Sequence, residues 1–426
     1  MAARQRPGFT RIALILVIVL TSISTATFYL LLRANLYTPQ KASDSGYFFK
    51  SIAVFDGESD KGVVNVRIKN GAIDCMGKDC QPESDDQIID GAGKSLIPGL
   101  ADLHIHFYAP STENSDLSTF RQLFDYIRQR PLVRQNLHNA GVTTVRSVGD
   151  ITANILKLRE QIQNGDLAGS EVFCVGPLFT APGGHPAGTI YKGNDYLVKN
   201  GTRQVSDTAA ARTNVATLAD MGVNGIKAVY DDIGGRFPKL DQQVLKSIID
   251  EAHSHGLWVT IHTGTADDVQ TAVMLGADAI EHGTEERLPD SLISRMVQQQ
   301  VLYIPTLAVT EVQNVLEKQP GRKTNIARLD SAGVMIGAGT DTQGKMAFGS
   351  SLHRELELLV EAGLSPSHAL RAATWYAAIS LKTDHRKGRL EPGKEADCVL
   401  INGKPWVNIS DIRKVEGVWQ KGVRVK

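Results

Sequence analysis

His104 and His106 close the apolar run Leu96-Ile97-Pro98-Gly99-Leu100-Ala101-Asp102-Leu103-His104-Ile105-His106 with one residue between them. On a β-strand side chains alternate with period two, so both imidazoles leave on one face. Such a pair is either half of a metal site or two polar residues leaving a strand together. Other chemistry-bearing residues end further strand-like runs. Lys227 lies inside Gly225-Ile226-Lys227-Ala228-Val229-Tyr230, and His262 ends Val259-Thr260-Ile261-His262. His282 follows Ala279-Ile280-Glu281, and Asp341 follows Gly337-Ala338-Gly339-Thr340. Singly, each has an ordinary explanation: a satisfied polar residue, a lysine snorkelling to water, an aspartate capping the next helix. Jointly those explanations fail. Four of the 11 histidines, with one lysine and one aspartate, fall at the same level of one repeating pattern.

The chemistry of such a set follows from its donors. Neutral imidazoles suit zinc and similar divalent ions, and manganese and cobalt tolerate the same donors. A buried lysine is costly as a cation, so its pKa falls. Its neutral amine can add carbon dioxide, and the resulting carbamate anion can bridge two cations. Two ions sharing a water lower that water's pKa towards neutral. Asp341 can hold one ion, take the proton as the hydroxide attacks, and pass it to the leaving group. The expectation is two divalent ions per chain, zinc foremost, and hydrolysis of an amide, cyclic amide, ester or lactone.

The elements that must position these residues alternate. Strand-like runs at 100–106, 143–147, 171–175, 225–229, 258–262, 279–282, 302–306 and 335–339 are separated mostly by amphipathic stretches such as 241–255 and 288–299. Gly141, Gly222, Gly256 and Gly276 sit where helices would end. Eight βα units predict an α/β fold, a TIM-like (β/α)8 barrel over 97–385 with its chemistry at the C-terminal strand ends. A doubly wound sheet would want a Gly-rich dinucleotide turn after an early strand, and there is none. Both chain ends look β-rich, including the hairpin signal Asn70-Gly71. Each has too few strands to stand alone, so 47–96 and 386–426 are expected to build one small β-sandwich together.

At the N-terminus Arg4, Arg6 and Arg11 precede an uncharged apolar stretch, 12–32. At about 1.5 Å per residue it approaches the roughly 30 Å of a hydrocarbon core. It is expected to be a transmembrane signal anchor, with 1–11 cytoplasmic, 33–46 a tether, and the catalytic domain on the extracytoplasmic side. A secretory signal cleaved near Ser24-Thr25-Ala26 is the alternative. Charges balance, 46 against 46, so nothing suggests a nucleic-acid partner. Cys75 and Cys80 could bridge in an oxidising compartment, and the four cysteines form no Cys-x-x-Cys spacing. Oligomerisation is left open.

In combination these motifs, with the ending Gly388-Arg389-Leu390-Glu391-Pro392-Gly393-Lys394-Glu395-Ala396-Asp397, resemble the amidohydrolase superfamily over residues 47–426. The chain looks most like the imidazolonepropionase-related group, especially its prolidase-like and Xaa-Arg dipeptidase-like members. Those carry a carboxylated lysine on strand four and a Gly-Gly-His loop after strand three, here Gly183-Gly184-His185. The resemblance implies that His104, His106 and Asp341 hold the more buried metal, His262 and His282 the more exposed one, and Lys227 both. It implies that His185 meets a substrate carboxylate and Tyr230 the scissile carbonyl. Arg146 is a further candidate cation near the mouth, whereas His353 is expected to be structural.

One-metal nucleobase deaminases of that superfamily place Glu three residues after the strand-five His, and here that position is Thr265. Imidazolonepropionase itself uses one metal and no bridging lysine. The expected function is therefore a two-metal C–N hydrolase acting on a dipeptide, an N-acyl amino acid or a cyclic amide. A lactonase, esterase or phosphotriesterase on the same site is the alternative. A non-enzymatic, membrane-tethered binding protein would be expected to have lost ligands, and none of the six is missing.

Overall fold

The computed structural model describes residues 17–25, 37–40, 45–107, 131–342 and 346–426. Strands β1 (Tyr47–Phe55), β2 (Asp60–Lys69), β3 (Ala72–Gly77), β4 (Gln87–Asp90) and β5 (Lys94–Pro98) lead into β6 (Leu100–Ile105). Next come β7 (Val142–Ser147), β8 (Glu171–Cys174), β9 (Leu178–Thr180), β10 (Thr202–Gln204), β11 (Gly225–Tyr230), β12 (Trp258–Thr263), β13 (Ala279–Glu281) and β14 (Leu302–Ile304). The chain ends in β15 (Cys398–Asn402), β16 (Val415–Gln420) and β17 (Val423–Arg424).

Strands from both chain ends join one sheet in the order β17-β16-β15-β5-β1-β2-β3, with β4 paired to β1. Where two packed layers were expected, the ladder is continuous, and the reason lies in β1. Its register with β2 shifts between Phe49 and Ile52, at Ser51 with φ 53°. Tyr47–Lys50 therefore pair with β4, while Ala53 and Val54 pair with β5. Trp419 is fully buried in this sheet, edge-on to Tyr47 and Phe49 at 5.5 and 5.0 Å. Cys75 and Cys80 are disulfide-bonded with Cα atoms 5.7 Å apart.

The middle of the chain is parallel. Among the described residues its strands form two sheets, β6-β7-β8 and β10-β9-β11-β12-β13-β14, where one ladder of eight was expected. The expected strand at 335–339 is a bridged segment, with Ile336 opposite Tyr303. Leu103 N donates to Ala338 O at 2.9 Å, and Gly337 N to Tyr303 O at 2.9 Å, so this segment lies between β6 and β14. Its glycines are a packing requirement. A Cβ on Gly339 would meet Ile304 Cγ2 at 2.6 Å and His104 Cβ at 2.9 Å. Helices cover the outside with one apolar face each. Gln242–Ser254, for example, buries Val244, Leu245, Ile248, Ile249 and Ala252. The four glycines marked as helix ends all have positive φ.

Of the expected membrane span, 12–16 and 26–32 lie outside the described residues, as do 1–11 and 33–36. The part within them, 17–25, is helical and exposed. No helix among the described residues is long and apolar enough to cross a membrane.

The C-terminal return is locked to the parallel strands by buried charge. Lys387 Nζ lies 2.6 Å from Glu171 Oε2 on β8 and 2.8 Å from Asp397 Oδ2. Arg386 reaches Glu171 at 2.6 Å. Burial raises the Glu171 pKa, but Lys387 and Arg386 outweigh it and bring the carboxyl down to about 2. Since the folded value lies below the unfolded one, this contact stabilises fully above about pH 5 and fades as pH falls towards 2. Glu171→Gln should lose that part of the acid-unfolding curve. Lys387→Met, which takes the lysine from buried Asp397 and leaves Glu171 to Arg386 alone, should cost up to about 3 kcal/mol in denaturant titration at neutral pH.

Candidate metal centre and active site

Six side chains expected at strand ends converge. His104, His106, Lys227, His262, His282 and Asp341 all line one cavity of about 60 Å³. His106 Nε2 and His104 Nε2 stand 3.1 and 3.5 Å from Asp341 Oδ1. His282 Nδ1 is 4.0 Å from Asp341 Oδ2. The rings of His262 and His282 are 4.3 Å apart, and those of His104 and His282 4.9 Å. Ligand atoms of His104, His282 and Asp341 lie within 4.8 Å of one another.

Neighbouring groups fix how the rings present themselves. His104 Nδ1 lies 2.6 Å from Glu281 Oε2, turning Nε2 towards Asp341. His282 Nδ1 lies 2.8 Å from Thr306 Oγ1, and His262 Nε2 3.2 Å from Asp231 Oδ2. A partner on one ring nitrogen sets the tautomer and leaves the other for a ligand. His282, Thr306 and Asp341 all adopt left-handed backbone, φ 66°, 49° and 52°. Non-glycine residues there carry about 1–3 kcal/mol of strain each, which surrounding structure must hold. Gly283 shows how tight that structure is, since a Cβ there would sit 1.6 Å from Tyr303 Oη.

The donor set fits divalent cations. Burial pushes His104 down to about 4 against the pull of Glu281, and drives His282 well below its usual value. Both imidazoles are thus neutral, the ligating form. Burial also lowers Asp341's tendency to ionise, but the positive charge of the surrounding cluster and the hydrogen bond with His106 outweigh it and hold its pKa below the usual value. Burial brings Lys227 down to about 8, despite Glu281. Its Nζ makes no hydrogen bond among the described residues and lies 3.8 Å from Glu281 Oε1. His106 Nδ1 is likewise buried without a hydrogen bond among them. A buried amine without a hydrogen bond, on a residue that lines the cavity, is what a bridging group of a cation site requires.

The other expected residues are placed differently from one another. His185 lines the cavity with its ring 5.1 Å from that of His262, and burial lowers it to about 3. Tyr230 is 5% exposed, sits under Lys239 Nζ at 4.9 Å, and is not among the cavity-lining residues. Arg146 does not reach the mouth. It is 1% exposed, donates through Nε to Leu103 O at 2.6 Å and through NH2 to Glu281 Oε1 at 2.5 Å, and stacks over Trp258. A guanidinium ending an inward strand residue finds the buried carboxylate before it finds solvent. His353 is buried against Ala140 O at 2.8 Å. Thr265 accepts from Asp268 N and caps the helix Ala266–Leu275, leaving no carboxylate at the deaminase position.

Sequence reasoning gave no role to Glu281, Asp231, Thr306 or Thr260. Glu281 carried a signal, a carboxylate inside an apolar strand. Thr306 carried none, since its position depends on left-handed backbone.

Comparison with known proteins agrees with this geometry. A family model described as the amidohydrolase family matches residues 95–425. Ochratoxinase of Aspergillus niger is 25% identical over 370 residues, 77% of this chain and 75% of that protein. A probable imidazolonepropionase of Homo sapiens is 25% identical over 402 residues, 84% of this chain and 87% of that one. A solved Xaa-Pro dipeptidase with methionine bound in its active site superposes with a TM-score of 0.78 at 25% identity, covering 89% of this chain and 99% of the other.

Removing an orienting partner should weaken metal binding without unfolding the protein. Asp231→Ala is expected to lower zinc affinity about 10–100-fold in competition with a chromophoric chelator, with an unchanged circular dichroism spectrum.

Proposed function

The chain belongs to the amidohydrolase family, and from that premise we propose a two-metal hydrolase that cleaves the C–N bond of a dipeptide, an N-acyl amino acid or a cyclic amide. The observation that carries this is the convergence of four imidazoles, Lys227 and Asp341 on one cavity, three of the imidazoles held by fixed partners. His104, His106 and Asp341 would hold one ion, His262 and His282 the other. When bound, the two ions, zinc foremost, would supply the charge that polarises a scissile carbonyl and acidifies water. The frame is a βα barrel whose ring closes through residues 335–341. Asp341 N donating to His104 O at 2.7 Å supports that closure.

Asp341 is ionised and stands between His104 and His106, so it can accept the proton of an attacking water. It then returns that proton to the amine that leaves. Lys227 would join the two ions as a carbamate. Its amine, already drawn towards neutrality by burial, adds to carbon dioxide and releases one proton. His185, held by Thr189 Oγ1 at 2.7 Å, faces the substrate from the loop above. Placement of the domain on the extracytoplasmic side is supported by the basic-then-apolar N-terminus and by the Cys75–Cys80 disulfide.

Zinc-loaded full-length protein should release free amine from members of a panel of N-acyl amino acids and dipeptides. Asp341→Asn should lower kcat about 10²–10⁴-fold. Lys227→Ala should lose metal and activity together, and full turnover by that variant would overturn the bridging role. Active protein with less than about one divalent ion per chain would refute the metal site. In alkaline carbonate extraction the full chain should stay with the membranes, and full release would refute the anchor.

A further inference from the structure

We propose that Tyr191 is a substrate-contacting residue whose phenol donates a hydrogen bond to the acyl oxygen of the bond being cleaved. This rests on the hydrolase function proposed above and adds a group that neither the motifs nor the family match assigns.

Tyr191 is 5% exposed and lines the cavity beside His106, His185, Lys227 and Asp341. A buried tyrosine hydroxyl ordinarily finds a partner. The hydroxyl of Tyr191 bonds to none of the described residues. Its cavity neighbours Val148, Leu178 and Ile190 have no side-chain acceptor to offer. The carboxylates whose charge it feels are Asp150 and Asp341. Asp150 already accepts from Ser147 Oγ at 2.6 Å and from Phe107 N at 3.0 Å, and Asp341 is engaged by His106. The hydroxyl faces the cavity and is thus placed to donate to an oxygen on a bound substrate.

The side chain is also held in place. Tyr191 N donates to Pro186 O at 3.0 Å, and Asn194 N to Tyr191 O at 2.9 Å. Its ring lies on Gly201, where an added Cβ would come within 3.0 Å of Cε2. His185 and Tyr191 therefore project from one short, internally bonded loop. A fixed donor in an apolar wall is worth most where charge develops, on the oxygen that becomes tetrahedral and negative. Tyr230, which the family resemblance would place on that oxygen, is not among the residues lining the cavity.

The test uses zinc-loaded full-length protein, with Tyr196→Phe as control because Tyr196 is 62% exposed on the following helix. Two readouts separate this proposal from the parent one: kcat and KM on the amide that the wild type hydrolyses, and the dissociation constant of acetohydroxamate by calorimetry. Tyr191→Phe should lower kcat about 10–100-fold and weaken acetohydroxamate about 10-fold, with zinc content and melting temperature unchanged. Gly201→Ala, which shifts the ring and removes no polar atom, should give a smaller loss of the same kind. Tyr196→Phe should stay within about twofold in both. Wild-type values for Tyr191→Phe in both readouts would overturn the proposal and leave the hydrolase intact. A wild type that neither hydrolyses the panel nor binds acetohydroxamate would overturn both.

Discussion

One buried carboxylate ties the molecule together. Glu281 is fully buried on β13. It accepts from Arg146 on β7 and Thr260 on β12, meets His104 on β6, and lies 3.8 Å from Lys227 on β11. These five strands belong to both parallel sheets, so a single anion links them across the centre. Burial alone would push Glu281 towards its neutral form, but Lys227, His104 and Arg146 outweigh it and hold it ionised. An apolar residue of similar size would pack the same space without the desolvation penalty. What it could not do is point the imidazole of His104, or place a compensating negative charge beside a lysine that must sit in the interior.

That arrangement separates two jobs that the sequence runs together. Arg146 and Lys227 are both cations inside strands, and from spacing alone both are candidates for chemistry. Arg146 spends two of its donors on Leu103 O and Glu281, which makes it part of the frame. Lys227 has no such bond among the described residues and opens onto the cavity. The distinction depends on which neighbour each side chain meets across the centre. No local pattern encodes it.

The alternation of strands and amphipathic helices, the meeting of the two chain ends, though not their single sheet, and the six converging side chains were legible in the sequence. They follow from periods of two and 3.6 and from polar residues ending apolar runs. The two-sheet division was not legible, because residues 335–339 bridge β14 and β6 through a few hydrogen bonds. Glycines at 337 and 339 let the neighbours approach too closely for a full strand of side chains. The bend in β1 was hidden for a similar reason. It depends on one left-handed serine, Ser51, which no composition rule marks. Tyr191 was hidden because it lies in a loop of turn residues, where an aromatic carries no periodicity to betray its direction.

The strained backbone explains why the site needs so much surrounding structure. His282, Thr306 and Asp341 take left-handed conformations, and each is held by something beyond its own strand. Arg322 donates to His282 O at 2.8 Å. Glu355 accepts from Leu307 N at 3.0 Å and Ala308 N at 2.6 Å, just after Thr306. Asp102 takes the backbone N–H and hydroxyl of Thr340, one residue before Asp341. Burial raises Glu355 to about 8 and Asp102 to about 7, so both are costly groups to hide. Each caps a backbone turn that carries a site residue or its partner. The buried acids of this protein thus fix main-chain turns first, and the imidazoles and Asp341 inherit their positions from those turns.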